Sequence, residues 1–199
     1  MKRILRVLFL LVVLLVGFAA GLWVFFPWNQ AAQVAFDEAV RNLNGRGIDM
    51  SALDVSGRGG LRPSLSVRGV VMNHPLLTAN MALIEGSLDP VRSLFARGVA
   101  VDLRLGSGTL QLLQGQSLGW QRGVLALKAG ASGVDVADLD LTGDLTVKGG
   151  FLFDPGQGKL SRAALEIAVP PEADSLMTGL RALLPLRKES EGRWKVERP

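Results

Sequence analysis

The sequence of 199 residues contains no cysteine, no tyrosine and a single histidine, His74. Without cysteine there is no disulfide, no thiolate metal site and no cysteine nucleophile. This fits an oxidising compartment without establishing one. One histidine excludes metal sites built on a histidine pair and leaves a serine-type triad only one candidate base. A phosphate-binding Gly-Lys-Ser/Thr loop is also missing. Gly106-Ser107-Gly108 lacks the glycine spacing of a dinucleotide fingerprint and does not lead into a helix. The basic residues are scattered among acidic neighbours, so no stripe tracks a phosphate backbone and no nucleic-acid partner is expected.

Charge is sparse and uneven. The formal net charge is +4 from 22 basic and 18 acidic residues, and Lys2, Arg3 and Arg6 supply most of the excess. Setting those three aside leaves the rest of the chain close to neutral, so the high isoelectric point reports the N-terminus and not a polyanion partner.

What the chain has in excess is apolar length. Hydrophobic residues make up 48% of it, and the mean hydropathy is +0.29. Val7–Phe26 runs for 20 positions without a charge, interrupted only by Gly17 and Gly21. As a helix this run spans about 30 Å, the thickness of a bilayer's hydrocarbon core. A single span must be helical, because lipid offers the backbone no hydrogen-bond partners. Trp23 and Trp28 stand near its far end, where indole rings favour the interface. A cleaved signal peptide competes with this reading, since Ala19-Ala20-Gly21 resembles a cleavage site. The run exceeds a signal core of about 7–15 residues and continues through Leu22–Phe26, which favours an uncleaved anchor. Lys2, Arg3 and Arg6 before the span, against Asp37 and Glu38 after it, set the topology. They put the N-terminus in the cytoplasm and the bulk of the chain outside, in the periplasm of a Gram-negative cell. Gly17 and Gly21 are spaced to let a second helix approach closely, although glycine is also simply common in membrane helices.

The remainder divides by periodicity. The divisions are a cytoplasmic N-terminus (1–6), a transmembrane helix (7–26), a juxtamembrane amphipathic helix (28–44) and a β-rich periplasmic domain (47–199). In the second helix Ala32, Ala35, Phe36, Ala39, Val40 and Leu43 form one stripe that ends at Asn44-Gly45. That stripe either docks a partner or packs on the domain it introduces. Period-two alternation follows from Ile48 to Val55, from Leu61 to Met72 and over Thr78–Ile84, with turns at Gly57–Pro63 and Asn73–Pro75. It recurs over Val99–Leu105, Gly108–Leu113, Gly119–Leu127, Val134–Leu141, Asp144–Phe153, Lys159–Val169 and Arg193–Arg198. Leu118, Trp120 and Arg122 share one parity, which Val124 and Ala126 continue. A bulge is expected at Ala137-Asp138. Leu88–Ala96 predicts a short helix capped by Asp89 with Pro90 at its first position, and Glu172–Leu184 another. The fold class is therefore mainly β: an antiparallel, curved meander with one or two short helices after a single transmembrane helix.

No reactive constellation emerges: no catalytic, cofactor-binding or metal site is assigned, and no cofactor is expected. His74 lies in a turn context, Asn73-His74-Pro75. A membrane-anchored hydrolase based on it is the weakest of three readings. Asp135, Asp138, Asp140 and Asp144 lie along an alternating strand, not on a tight calcium loop, and read as its solvated face. A continuous apolar sheet face needs a cover, which can be the chain's own helices, another subunit or lipid.

The stretches Leu141–Gly150, Phe151–Pro155 and Gly158–Ser161 carry a family resemblance. So do Leu183-Leu184-Pro185-Leu186, Gly192-Arg193-Trp194 and the anchor with Phe26-Pro27. Together they make the chain resemble the type II secretion system protein N family, related in style to AsmA-like periplasmic proteins. The resemblance implies a bitopic inner-membrane protein with a β-rich periplasmic part. It would be a non-enzymatic accessory of the machine that exports folded proteins, with other secretion-system subunits as partners. The alternative is an AsmA-like lipid-binding or lipid-transfer protein, whose apolar trough would contact acyl chains through residues such as Val99, Val101, Leu103, Leu145 and Val147.

Overall fold

A computed structural model describes residues 2–45, 47–75, 77–96, 98–112, 117–130, 133–154, 159–174, 177, 178, 181 and 185–198. Two helices open the chain, α1 (Lys2–Phe25) and α2 (Trp28–Asn44). The strands are β1 (Asp49–Ser51), β2 (Asp54–Arg58), β3 (Ser64–His74), β4 (Leu77–Leu88), β5 (Val99–Leu105), β6 (Gly108–Leu112), β7 (Ser117–Gly130), β8 (Gly133–Gly143), β9 (Thr146–Asp154), β10 (Lys159–Ala168), β11 (Leu186–Ser190) and β12 (Arg193–Arg198), with helix α3 (Pro90–Ala96) between β4 and β5. Every strand pairing is antiparallel. All twelve strands join one sheet in the order β1-β3-β4-β5-β7-β8-β9-β10-β12-β11, with β2 beside β3 and β6 between β4 and β7.

The meander is simpler than twelve strands suggest. β1 and β2 pair with one edge of β3 in a single register, Met50 opposite Met72 and Val55 opposite Val67. β5 and β6 likewise share one register on β4 and one on β7. Each couple is one strand interrupted for two residues. One row of directly opposed residues then crosses the whole sheet: Val55, Val67, Ile84, Leu105, Gly123, Leu141, Val147, Ile167, Trp194 and Lys188. It is apolar until its last member, as the alternation predicted.

The next row toward one end of the strands is Val70, Met81, Gly108, Trp120 and Gly143. On β3, β4, β5/β6 and β7 the two rows stand three residues apart, not two. One residue drops out of the alternation on each strand: Gly69 on β3, Ala82 on β4 and Gln121 on β7. On β1/β2 and β5/β6 the dropped position is the interruption itself, at Ala52-Leu53 and Gly106-Ser107. These positions lie side by side and form a transverse crease. Gly69 sits there at φ +60°, a conformation a side chain disfavours. The extra residue keeps the apolar side chains of both rows on one face, which a straight strand would not do.

This corrects the expected parity of β7. Leu118 and Trp120 are buried while Arg122 and Val124 are exposed, because the bulge at Gln121 intervenes. Leu53 does not continue the alternation into Val55; it is exposed at the crease. The expected bulge at Ala137-Asp138 is present, with Asp138 at φ +53° and a register shift between Val136 and Leu139. β2 runs to Arg58, into the expected Gly57–Pro63 turn, and Leu61 lies in the β2–β3 loop, exposed and on no strand. The predicted helix Glu172–Leu184 lies partly outside the described residues. Inside them, Pro171–Ala173 is a 3-10 turn and Asp174, Met177 and Thr178 are helical.

The tightest core sits at the C-terminal end of the sheet. Leu118, Ala163, Val169, Ala173, Met177, Leu186, Trp194 and Val196 are buried together, with Leu145, Phe151, Leu165 and Ile167 against them. The segment carrying Ala173 and Met177 is tied down by Asp174. Its carboxylate accepts from Trp194 Nε1 at 2.7 Å, from Gly192 N at 3.3 Å and from Lys188 Nζ. These contacts, led by the Lys188 hydrogen bond, hold the Asp174 carboxyl below the usual range against a smaller opposing effect of burial.

Candidate functional site

The residues singled out for chemistry do not converge. His74 ends β3, opposite Leu77, and Gly106-Ser107-Gly108 is the crease between β5 and β6. Asp140 faces Lys148 on the neighbouring strand at 3.9 Å, and Asp135 reaches across β9 to Arg162 at 3.9 Å, both on a partly solvated surface. Asp144 is exposed beyond the end of β8. Among the described residues, no group of three or more His, Asp or Glu is placed to hold a metal ion.

The surfaces are more informative. In α1, the large apolar residues from Phe9 to Val16, with Phe18, Leu22 and Val24, are all exposed, so the sheet does not cover them. α1 is 24 residues long and includes Lys2, Arg3 and Arg6, so the helix starts before Val7. Taken over Phe9–Phe25 and Trp28–Asn44, neither helix alone is long and apolar enough to cross a membrane. Phe9–Phe25 and Trp28–Asn44 pass that test only together, bent by 66° at the break that Pro27 marks. Gly17 and Gly21 line a shallow groove with Phe18, Leu22 and Phe25, and nothing approaches either glycine.

The two edges of the sheet differ. α2 lies along β2, with Ala32 buried in the contact. Gly57 fits so closely beneath the Trp28 carbonyl that a Cβ would overlap it, and the Gly57 N–H is satisfied by Asn29 Oδ1 at 3.2 Å. The stripe on α2 therefore packs on its own domain through Ala32, with Phe36, Val40 and Leu43 half-buried. At the opposite edge β11 pairs only with β12, through Leu186, Arg187, Lys188 and Ser190, with Glu189 bulged between the last two. Among the described residues no strand covers its outer side.

A cavity of about 950 Å³ lies along the crease. Leu53, Ala82, Ser107, Gln121 and Asp144 line it, with Trp120 at its side. The Trp120 indole N–H donates to Gly106 O at 3.0 Å, pinning the ring across the interrupted strand. Sequence reasoning missed this feature. Its signal was the three-residue spacing between successive apolar positions on neighbouring strands.

The model of one protein family, described as type II secretion system protein GspN-like, Synergistales, matches residues 5–198. No curated protein and no solved structure matches the chain.

Proposed function

The chain belongs to the type II secretion system GspN-like family, and from that premise we propose that it is a non-enzymatic, single-pass inner-membrane component of a secretion apparatus. In this reading α1 spans the bilayer with the N-terminus cytoplasmic, and the sheet stands in the periplasm. The family match over nearly the whole chain carries the proposal. Two features support the anchor: an apolar α1 surface without a protein cover, and basic residues confined to its start.

The mechanism is tethering. Confinement near the membrane raises the effective concentration of the domain for neighbouring subunits. The uncovered edge of β11 offers backbone donors and acceptors for strand addition, and Gly17/Gly21 offer a close helix contact. Capture of the tagged full-length chain from native membranes is expected to enrich secretion subunits. Replacing Arg187 at the open edge with Glu should reduce that recovery. Recovery of none, with normal export in a deletion strain, would refute the proposal.

The AsmA-like lipid reading is favoured by one observation. Val101, Leu103, Leu105, Leu125 and Leu127 are only half-buried on the apolar face. Native mass spectrometry of the purified chain separates the two, because co-purified phospholipid that survives detergent exchange belongs to this second reading.

A further inference from the structure

A second apolar surface lies beside the C-terminal end of α1. The Trp23 indole N–H donates to Gly60 O at 2.7 Å, which fixes the β2–β3 loop against the last turns of that helix. The same loop carries Leu61, 93% exposed. It is joined to the end of β4 by Leu88 N donating to Pro63 O at 2.8 Å, and to the cap of α3 by Arg62 facing Asp89 at 3.6 Å. Asp89 in turn caps α3, accepting from Arg92 N at 2.9 Å. α3 turns its apolar residues outward: Val91 is 64% exposed, Leu94 78% and Phe95 84%. Trp23, Leu61 and Val91 line one common cavity with Arg62 and Arg92.

Four large apolar side chains held on a capped helix and a tied loop are an unusual thing to offer to water. Their position decides what covers them. Trp23 belongs to the last turns of α1, at the depth where a membrane helix leaves the hydrocarbon. We infer that Leu61, Val91, Leu94 and Phe95 insert into the periplasmic leaflet of the bilayer that α1 crosses, giving the domain a second, monotopic membrane contact. Arg62, paired with Asp89, and Arg92, paired with Asp102 at 3.3 Å, flank the patch with their side chains largely exposed, within reach of anionic phospholipid headgroups. The inference rests on α1 being a membrane span. It adds that the sheet is held at a fixed angle to the membrane and does not swing freely on its anchor.

The native chain has no cysteine, so single cysteines can be placed at will. Full-length Leu61→Cys and Leu94→Cys, labelled with an environment-sensitive fluorophore, are reconstituted in phosphatidylcholine–phosphatidylglycerol vesicles. Leu15→Cys in α1 and Val124→Cys on β7 serve as references. Quenching by lipid-borne nitroxide should be several-fold stronger at positions 61 and 94 than at 124, and quenching by aqueous iodide several-fold weaker. If position 15 is reached by the lipid quencher while 61 and 94 behave like 124, the second contact is refuted and the anchor stands. If position 15 also escapes the lipid quencher, the anchor reading itself fails. Shielding at 61 and 94 that occurs in native membranes but not in pure vesicles assigns the patch to a protein partner and overturns the lipid assignment.

Discussion

Deleting Gln121 tests the crease directly. Gln121 is the exposed extra residue of β7, lying between buried Trp120 and the inward-facing Gly123 row. Without it, if β7 keeps its register on β5 and β6, Trp120 moves into the crease position opposite Ser107 and Leu118 into the outward place opposite Thr109, so both leave the core. Both are nearly fully buried, Leu118 4% and Trp120 8% exposed. Burial of a leucine contributes about 2 kcal/mol and of a tryptophan about 4 kcal/mol at ~25 cal/mol per Å². Residual burial in the unfolded chain lowers the pair to about 4–5 kcal/mol. That is a large share of the ~5–15 kcal/mol that holds a domain folded.

Urea unfolding of the full-length chain in a non-ionic detergent, followed by tryptophan fluorescence, measures the effect. With a slope of about 2 kcal/mol per molar urea, the midpoint should fall by ~2 M. The native emission should also shift to the red as Trp120 becomes hydrated. Gln121→Ser keeps the extra residue and should stay within about 0.5 kcal/mol of the parent. A deletion variant with the parent midpoint and emission would show that the crease does not keep the apolar face in phase.

Three further outcomes follow from particular contacts. Gly149 sits at φ +124° in β9, where a Cβ would run into the Ala164 carbonyl of β10; Gly149→Ala should cost on the order of 1–3 kcal/mol from backbone strain alone, read as a lower urea midpoint. Asp174 contributes stability that is complete above its unfolded-state pKa of about 3.9 and is lost as pH falls through its lowered folded value, so Asp174→Asn should be less stable at neutral pH and lose less on acidification below about pH 4, followed by near-UV circular dichroism. Gly17→Leu or Gly21→Leu should weaken association of α1 with a second span in a membrane two-hybrid reporter, and an unchanged signal would remove that pair from the interface.

The positions of β3, β4, β5, β8, β9, β10 and β12 were legible in the sequence, because apolar and polar residues alternate along much of each. The α3 cap was legible too, since Asp89-Pro90 is a local signal and Asp89 Oδ1 does accept from Arg92 N. β11 was not legible. Leu186-Arg187-Lys188-Glu189-Ser190 has one buried residue and no alternation. It is a strand because β12 pairs with it and because Lys188 reaches both Asp174 and the face of Trp194, with 5.6 Å to the ring centroid. The crease escaped notice for a different reason. Each strand read alone looks like two short alternating runs with a glycine or a turn between them. The interruption has meaning only when five strands are set side by side, and sequence periodicity carries no register between strands. The exposed face of α3 was visible as a stripe, but a stripe does not say which way it points.

The asymmetry of the two edges bears on how such a sheet enters an assembly. A sheet with two open edges can propagate as a fibre, since each added copy presents a fresh edge. Here α2 closes one edge, and Asn29 satisfies the Gly57 N–H that would otherwise face outward. Growth is left to β11. Two copies joined there, antiparallel about Lys188, would set Arg187 opposite Glu189 but Lys188 opposite itself. Lys188 is already engaged by Asp174, so that register would also set two Lys188–Asp174 pairs against each other. A partner strand with acidic residues opposite Arg187 and Lys188 meets neither obstacle. The charges on β11 therefore disfavour self-association and leave hetero-pairing open. A chain with one such edge can pair with a single neighbouring strand without building a fibre.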